Sequence, residues 1–310
     1  MRPYFVVNPA SANGKTGRQW PELLALAKGE FGDRLAFGFT ERPMHAATLA
    51  AKAAAQGHDT IVAVGGDGTL NEVINGVFGD NASKFPAVGV SLLPQGTGGD
   101  FARTMGIAGL PAKGVLRQLA SGRRRALDVG KLTYSAIGGG RGVRFFVNEC
   151  SMGLSGRVAR EVNQTTKVFG GRASFFWGAL KSLARYTDVP LRIARDGDSW
   201  ENVNVTTLTL ANGRFFGGGI QVAPDADPFD GAFSATLWSG YGLWDLLRYQ
   251  PQMYNGGHVR LSRTRVFGCQ SLRAEAVKEG EQVFLDCDGE QPGILPCEVQ
   301  LLRAALPWVG

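Results

Sequence analysis

The clearest chemical pattern in the chain is a cluster of glycines around a single aspartate. The apolar, largely β-branched run 60–64 predicts a buried strand. The residues that follow it directly are Gly65, Gly66, Asp67, Gly68 and Thr69. Glycine N–H groups can approach an anion closely, and the N-terminus of the helix predicted next adds partial positive charge. The pattern of strand, turn and helix therefore indicates a loop that binds phosphate.

Asp67 indicates what kind of phosphate ligand this would be. A carboxylate beside phosphates is repelled unless a cation lies between them, so the pattern points to Mg²⁺ and a nucleotide. The simpler alternative is a tight turn with an exposed aspartate. Thr69 and Glu72 stand three residues apart ahead of an apolar run. That spacing predicts a capping box at the start of the helix.

The segment 65–73 resembles the GGDGT signature of the diacylglycerol kinase and sphingosine kinase superfamily of lipid kinases. Rival phosphate motifs fail. The residues 14–16 resemble the end of a Walker A loop, but Pro9 stands where that loop needs its first glycine. The segment 96–101 lacks the third glycine of a dinucleotide fingerprint, and the sequence contains no His-Arg-Asp or Asp-Phe-Gly triplet of protein kinases.

The resemblance implies ATP and Mg²⁺ as cofactors, held by loops that are distant in sequence. A second glycine loop, 95–103, resembles the family's Gly-Thr-x-Asn-Asp-Phe, with Gly99 in place of the asparagine. The implied metal-binding carboxylates are Asp67, Asp100 and Asp128. The implied nucleotide-binding residues are Asn8, Arg18, Thr40, Gly65, Gly66, Asp67, Gly68, Thr69, Gly96, Thr97 and Glu290.

Two blocks in the second half of the chain complete the resemblance and imply the catalytic residues. The segment 212–231 resembles the loop that carries the general base in bacterial diacylglycerol kinases, and Asp230 takes that position. Likeness to sphingosine kinases gives the same role to Asp67, which is the second candidate. The segment 288–290 resembles the family's Asp-Gly-Glu, and by analogy Glu290 reaches the nucleotide. Lys181 is expected to orient an acid or a phosphate.

Two domains are predicted from the pattern of apolar runs. Residues 1–126 alternate strands with helices, which favours an α/β domain whose parallel sheet is covered by helices on both faces. The resemblance makes this a nucleotide-binding domain like that of NAD kinase and phosphofructokinase. Residues 127–310 show short alternating runs separated by turn residues, which predict a mainly antiparallel β-sandwich for the lipid substrate. The last residues are expected to pack back on the first domain.

Composition limits the partners and the compartment. The chain of 310 residues has a net charge of +6, which favours acidic partners such as nucleotides or an anionic membrane surface. Its four cysteines form no Cys-x-x-Cys pair, so buried free thiols are expected. The sequence shows neither a signal segment nor an apolar run of membrane-spanning length. We therefore expect a cytoplasmic protein, peripheral to the inner face of the membrane.

The predicted function is transfer of the γ-phosphoryl group of ATP to a lipid hydroxyl, with diacylglycerol as the first choice of acceptor. The alternatives are a ceramide or sphingoid-base kinase, an NAD-kinase-like enzyme, and a non-catalytic lipid-binding regulator. A helix predicted at 173–186 either packs on the sheet, which we favour, or touches the membrane with its aromatic and basic side chains. No nucleic-acid-binding motif is present, and a homodimer is compatible with the sequence.

Overall fold

The computed structural model describes residues 1–79, 82–96, 98–165 and 186–310. These residues form two compact units. The first consists of Met1–Val129 together with Leu302–Gly310, and the second is Gly130–Leu301. The helix predicted at 173–186 lies almost entirely outside the described residues. Among the helices that the structure describes, none is both long and apolar enough to cross a membrane.

The first unit is built on a parallel sheet with the strand order β2-β1-β3-β4, extended beyond β4 by the end of β15, where Trp308 pairs with Val90. The four parallel strands are β1 (Pro3–Val7), β2 (Ala36–Phe39), β3 (Thr60–Gly65) and β4 (Gly89–Pro94). The helices of this unit are α1 (Lys15–Phe31), α2 (His45–Ala55), α3 (Asp67–Val77), α4 (Asp100–Thr104) and α5 (Ala112–Ala120).

Burial explains why these segments form a parallel sheet. Every residue of β3 is buried, as is typical of a central strand covered on both faces. The helices pack in pairs, α1 with α5 and α2 with α3. The helices α2 and α3 approach so closely that a Cβ on Gly76 would collide with the backbone of Ala47. The predicted α/β domain with a parallel sheet is confirmed.

The predicted capping box at the start of α3 is wrong. The helix begins at Asp67 with Gly66 as its N-cap, so Thr69 lies inside the first turn, and no side chain caps the helix. The Oγ1 atom of Thr69 accepts a hydrogen bond from Asn8 Nδ2 at 3.1 Å. Glu72 Oε2 accepts one from the N–H of Ala46 at 3.0 Å. The capping-box rule pairs Thr69 and Glu72 with the start of their own helix, but both side chains instead bind residues that are distant in sequence.

The second unit contains antiparallel sheets, which confirms the predicted class of this half. One sheet has the order β12-β11-β10-β7-β14, another has β15-β13-β8-β9, and β5 pairs with β6 as a hairpin. The strands are β5 (Arg124–Ser135), β6 (Arg141–Phe146), β7 (Glu149–Gly153), β8 (Val189–Arg195), β9 (Glu201–Val205), β10 (Thr207–Ala211), β11 (Phe233–Trp238), β12 (Thr264–Cys269), β13 (Ser271–Ala276), β14 (Leu285–Cys287) and β15 (Ile294–Val309).

The two faces of the five-stranded sheet differ in chemistry. Alternate residues of β7 and β10, such as Met152 and Leu208, join one apolar core cluster with residues of the other sheet. The intervening residues Ser151 and Thr209 are polar and fully buried. All four cysteines are free and buried, as expected. The described helices of this unit are α6 (Leu154–Thr165), α7 (Leu243–Arg248) and α8 (Gln250–Tyr254).

Candidate functional site

The predicted nucleotide-binding residues of the first unit follow the ends of parallel strands. Asn8 comes directly after β1, Thr40 after β2, Gly66 after β3 and Gln95 after β4. Backbone hydrogen bonds continue the ladder into these loops, since the N–H of Thr40 bonds the carbonyl of Val7 at 2.8 Å. Parallel strands place their carboxyl ends at one edge of a sheet, which is where open α/β sheets bind ligands. The fold therefore brings these four loops together.

The two glycine-rich loops touch each other through their backbones. The N–H of Gly96 donates to the carbonyl of Gly65 at 3.0 Å. A Cβ added to Gly96 would collide with the Cα of Gly66, and one added to Gly66 would lie 3.3 Å from the Cα of Gly96. Only glycine at both positions permits this approach. The result is a surface of exposed peptide groups with no side chain to keep an anion away.

Asp67 joins these loops through its carboxylate. Its Oδ2 atom accepts the N–H of Asp100 at 3.0 Å, and its Oδ1 atom accepts the N–H of Phe101 at 3.2 Å. Burial raises the pKa of Asp67, while the two N–H donors and the positive charge of Arg103 act in the opposite direction. Asp67 therefore binds the first turn of α4, and in this structure its oxygens hold two loops in register.

Asp100 has a charged partner of its own. The Nη1 atom of Arg103 lies 2.7 Å from Asp100 Oδ1 and donates a second hydrogen bond to the carbonyl of Gly98 at 2.6 Å. Gly99, which replaces the expected asparagine, precedes α4 with φ of +66°. Glycine adopts this left-handed conformation without strain, and asparagine is one of the few other residues that visits it readily. The substitution is therefore compatible with the shape of the loop.

Three further nucleotide-binding candidates are placed differently. The side chain of Asn8 is bonded at both ends, because Nδ2 donates to Thr69 and Oδ1 accepts the N–H of Ala10 at 3.1 Å. Arg18 lies exposed on α1, with Nη1 3.5 Å from the carbonyl of Asn13. Thr97 lies outside the described residues. Asn8 thus fixes the first loop against α3, and Arg18 projects from the helix that follows it.

The three predicted metal-binding carboxylates do not form a ready-made metal centre. Asp128 is buried, and its Oδ1 atom accepts the N–H of Ala304 at 2.6 Å. Within the described ranges, no group of three or more His, Cys, Asp or Glu side chains is arranged to hold a metal ion. Asp67 and Asp100 instead fit a hydrated Mg²⁺ held mainly by nucleotide phosphates, since Mg²⁺ commonly keeps several waters and takes only one or two carboxylates.

In the second unit, Asp230 lies exposed in the loop that precedes β11. Its Oδ1 atom accepts the N–H of Ala232 at 2.9 Å, and its own N–H bonds the carbonyl of Asp227 at 3.2 Å. These bonds fix the loop. Glu290 is also exposed and exchanges two backbone hydrogen bonds with Cys287 across a tight turn. Lys181 lies outside the described residues.

Two buried carboxylates of this unit, Asp286 and Asp288, were assigned no role from the sequence. Asp288 accepts three backbone hydrogen bonds, from the N–H groups of Val147, Asn148 and Glu149 at 3.2, 3.1 and 3.0 Å. Burial raises the pKa of Asp286 to about 8, and the nearby negative charges of Asp288 and Glu290 add to that rise. The available signal in the sequence was the alternation of polar and apolar residues along β7, because this strand pairs with β14, which contains Asp286.

Asp286 belongs to a polar row that crosses three strands. Ser151 of β7 pairs with Asp286 on one side and with Thr209 of β10 on the other. The hydroxyl oxygens of Ser151 and Thr209 are buried and have no hydrogen-bond partner in the described part of the chain. Buried hydroxyls normally find a partner, often an ordered water. This row is therefore a buried polar strip within the second unit.

Comparison with known proteins relates both halves of the chain to one group. The family model called diacylglycerol kinase catalytic domain matches residues 2–132. The model called YegS C-terminal NAD kinase beta sandwich-like domain matches residues 148–309. A diacylglycerol kinase of Bacillus subtilis is 30% identical over 264 residues, which cover 83% of this chain and 80% of that protein.

Solved structures agree on the fold. A crystal structure described as a diacylglycerol kinase from Bacillus anthracis superimposes with a TM-score of 0.72 at 19% identity, covering 99% of this chain and 96% of that one. Yeast NADH kinase complexed with NADH gives a TM-score of 0.54 at 10% identity, covering 100% and 83%. The prediction of a fold like that of NAD kinase is therefore confirmed.

Proposed function

The chain belongs to the diacylglycerol kinase family, and from this premise we propose that it transfers the γ-phosphoryl group of ATP to the hydroxyl of diacylglycerol. The kinase family implies the use of ATP. The acceptor, Mg²⁺ and the roles of individual residues are part of the proposal. The observation that carries it is the contact between the two glycine loops, closed by Asp67 at the carboxyl ends of β3 and β4.

The glycine loops supply what phosphoryl transfer needs most. Such reactions depend on positioning and on neutralising charge, with little covalent work by the protein. The first turn of α3 begins directly after Gly66, beside Gly96, where no Cβ intervenes, so its N–H groups are suited to binding phosphate oxygens. When bound, Mg²⁺ would neutralise the charge of the phosphates beside Asp67 and Asp100.

The geometry favours Asp230 over Asp67 as the general base. A base must reach the hydroxyl proton of its substrate with an available oxygen. Both oxygens of Asp67 accept N–H groups of α4, and the residue is only partly exposed. Asp230 is exposed. We therefore assign Asp67 to holding the loops and Asp230 to accepting the proton of the acceptor hydroxyl.

The substitution Asp230→Asn tests this assignment. General base catalysis contributes about 10²–10⁴-fold, so we expect turnover to fall by at least about 100-fold. Binding of ATP should be unchanged, because Asp230 belongs to the second unit and the glycine loops to the first. Turnover is measured as transfer of labelled phosphate from ATP to diacylglycerol in mixed micelles. Near-normal turnover in this variant would remove Asp230 from the mechanism.

The acceptor is identified by offering several lipids in one assay. Diacylglycerol, ceramide and sphingosine are incubated separately with labelled ATP, and the products are separated by thin-layer chromatography. We expect diacylglycerol to be labelled most strongly. Stronger labelling of ceramide or sphingosine would move the enzyme to that substrate class. NAD is included because yeast NADH kinase shares the fold, and labelling of NAD alone would refute the assignment to lipids.

A further inference from the structure

The helix α7 in the second unit has one packed face and one face that is open to solvent. Leu243 and Leu246 pack against a small buried cluster that belongs to α6. On the outer side, Trp244 is 80% exposed and Leu247 is 40% exposed. These two residues are three apart, so they lie next to each other on the helix surface. The inner residues therefore hold the helix in place while an indole ring faces water.

The surroundings of this surface are positively charged. The segment 240–264 contains three arginines and one aspartate. Asp245 is paired with Arg263 at 2.6 Å, so its charge is compensated. Arg248, one turn after Trp244, is exposed at the end of the same helix. The outer surface of α7, defined as Trp244, Leu247 and Arg248, therefore combines an aromatic ring, an aliphatic side chain and a cation.

Two kinds of occupant could cover such a surface, and its size separates them. A stable complex between two proteins buries about 1,200–2,000 Å² in total. Two apolar side chains on one helix of six residues provide far less than that. A lipid bilayer requires no minimum area. Tryptophan prefers the boundary between headgroups and acyl chains, and arginine is attracted by anionic headgroups.

We infer that the outer surface of α7 docks the protein on an anionic phospholipid bilayer, with the Trp244 ring inserted at the headgroup level and Arg248 bound to phosphate groups. This inference rests on the proposed function in one respect, because docking on a bilayer would bring the enzyme to a diacylglycerol acceptor in that bilayer. The docking itself is measurable without ATP and without turnover.

The first experiment measures binding to vesicles of phosphatidylglycerol and phosphatidylcholine by co-sedimentation. Trp244→Ser should lower the partition coefficient about tenfold or more, because it removes a whole buried aromatic side chain from the interface. Arg248→Gln should lower it about fivefold and weaken its dependence on salt. The emission attributable to Trp244, taken as the difference between the wild type and Trp244→Phe, should shift to the blue on vesicles.

Trp200→Ser is the matched control. Trp200 is also exposed, at 42%, but the guanidinium groups of Arg192 and Arg273 lie 5.7 and 5.1 Å from its ring. Its loss should change vesicle binding by less than about twofold, as for an ordinary surface position. Unchanged vesicle binding in Trp244→Ser would overturn the inference. Loss of a dimer in that variant, measured by sedimentation with vesicle binding intact, would instead identify a contact between copies.

A kinetic comparison separates this inference from the proposed function. Trp244→Ser should reduce turnover of long-chain diacylglycerol in vesicles in proportion to its lost binding. It should leave turnover of a water-soluble, short-chain diacylglycerol unchanged. If the wild type phosphorylates neither substrate, the proposed function fails, and the co-sedimentation result still decides whether α7 docks on a bilayer. Equal loss on both substrates would contradict docking as the role of Trp244.

Discussion

Two carboxylates that accept backbone N–H groups, one in each unit, show how the same chemical group is put to different use. Asp67 accepts two backbone N–H groups, and both come from a loop 33 or more residues away in the chain. Asp288 accepts three backbone N–H groups, which belong to the consecutive residues 147–149 where β6 leads into β7. Asp67 therefore joins two glycine-rich loops, whereas Asp288 anchors one turn to one segment.

A third carboxylate completes the comparison. Asp286, only two residues before Asp288, accepts a backbone hydrogen bond from Gly289 at 2.9 Å. A carboxylate that is stabilised by several N–H donors keeps its charge when buried, whereas one with few donors tends to hold its proton. Asp288 is therefore a structural anchor, whereas Asp286 is an acid whose pKa is raised mainly by burial.

The largest expected effect is on Asp288. Asp288→Ala would leave three buried N–H groups without an acceptor, at a cost of about 1–3 kcal/mol for each buried polar group left unsatisfied. The residue also has φ of +52°, which alanine adopts poorly. We expect the free energy of unfolding, measured by urea denaturation, to fall by at least about 3 kcal/mol.

Asp288→Asn is the matched control for this prediction. Asparagine tolerates the left-handed conformation and keeps one acceptor oxygen, so most of the stability should remain. If the alanine and asparagine variants lost equal stability, charge would outweigh the count of N–H bonds. The contrast between Asp67 and Asp288 would then need another explanation.

The next effect concerns the contact between the glycine loops. Gly96→Ala introduces a Cβ that collides with the Cα of Gly66, so the loops must separate. We expect ATP affinity, measured by calorimetry, to fall about tenfold or more, because a small misplacement of a binding group is costly. Gly114→Ala in α5 is the control, since its Cβ would meet no atom within 4 Å. Equal ATP affinity in the two variants would refute the role of the loop contact.

Much of the first unit could be predicted because its signals are local. Apolar runs mark β1 and β3, and the alanine-rich run 45–55 predicts a helix whose bounds agree with those of α2, His45–Ala55. The loops at the strand ends followed from the order of strands and helices. The conformation at Gly99 was not predictable from spacing, and neither was the use of both oxygens of Asp67 by α4. Those depend on contacts between segments that are distant in sequence.

The second unit was harder to predict because its strands carry mixed signals. β7 reads Glu-Cys-Ser-Met-Gly and alternates polar with apolar residues, but all five are buried, so its polar residues do not mark a face that is open to solvent. The run 203–210 predicts one strand when its sequence is taken alone, but the structure has β9 and β10 there. They are separated at Thr206, whose hydroxyl donates to Asp188 at 2.5 Å. The anchoring of Asp128 by Ala304 depends on β15, a strand that the sequence pattern did not reveal.

The last expected effect has a distinctive pH dependence. The unfolded state releases the proton of Asp286 near pH 4, whereas burial keeps the pKa of the folded state near 8. The folded protein therefore binds more protons between these values, and its stability falls as pH rises through that range. Asp286→Asn removes this penalty, because a neutral amide has no proton to lose.

We therefore expect Asp286→Asn to match the wild type near pH 4.5 and to have a higher midpoint of thermal unfolding at pH 7.5. Asp245→Asn provides a control of opposite sign, since the hydrogen bond from Arg263 lowers the pKa of Asp245. Its loss should destabilise the protein above pH 4, by no more than about 1 kcal/mol for a surface pair. An Asp286→Asn variant that is less stable at pH 7.5 would refute the raised pKa of Asp286 as a source of instability.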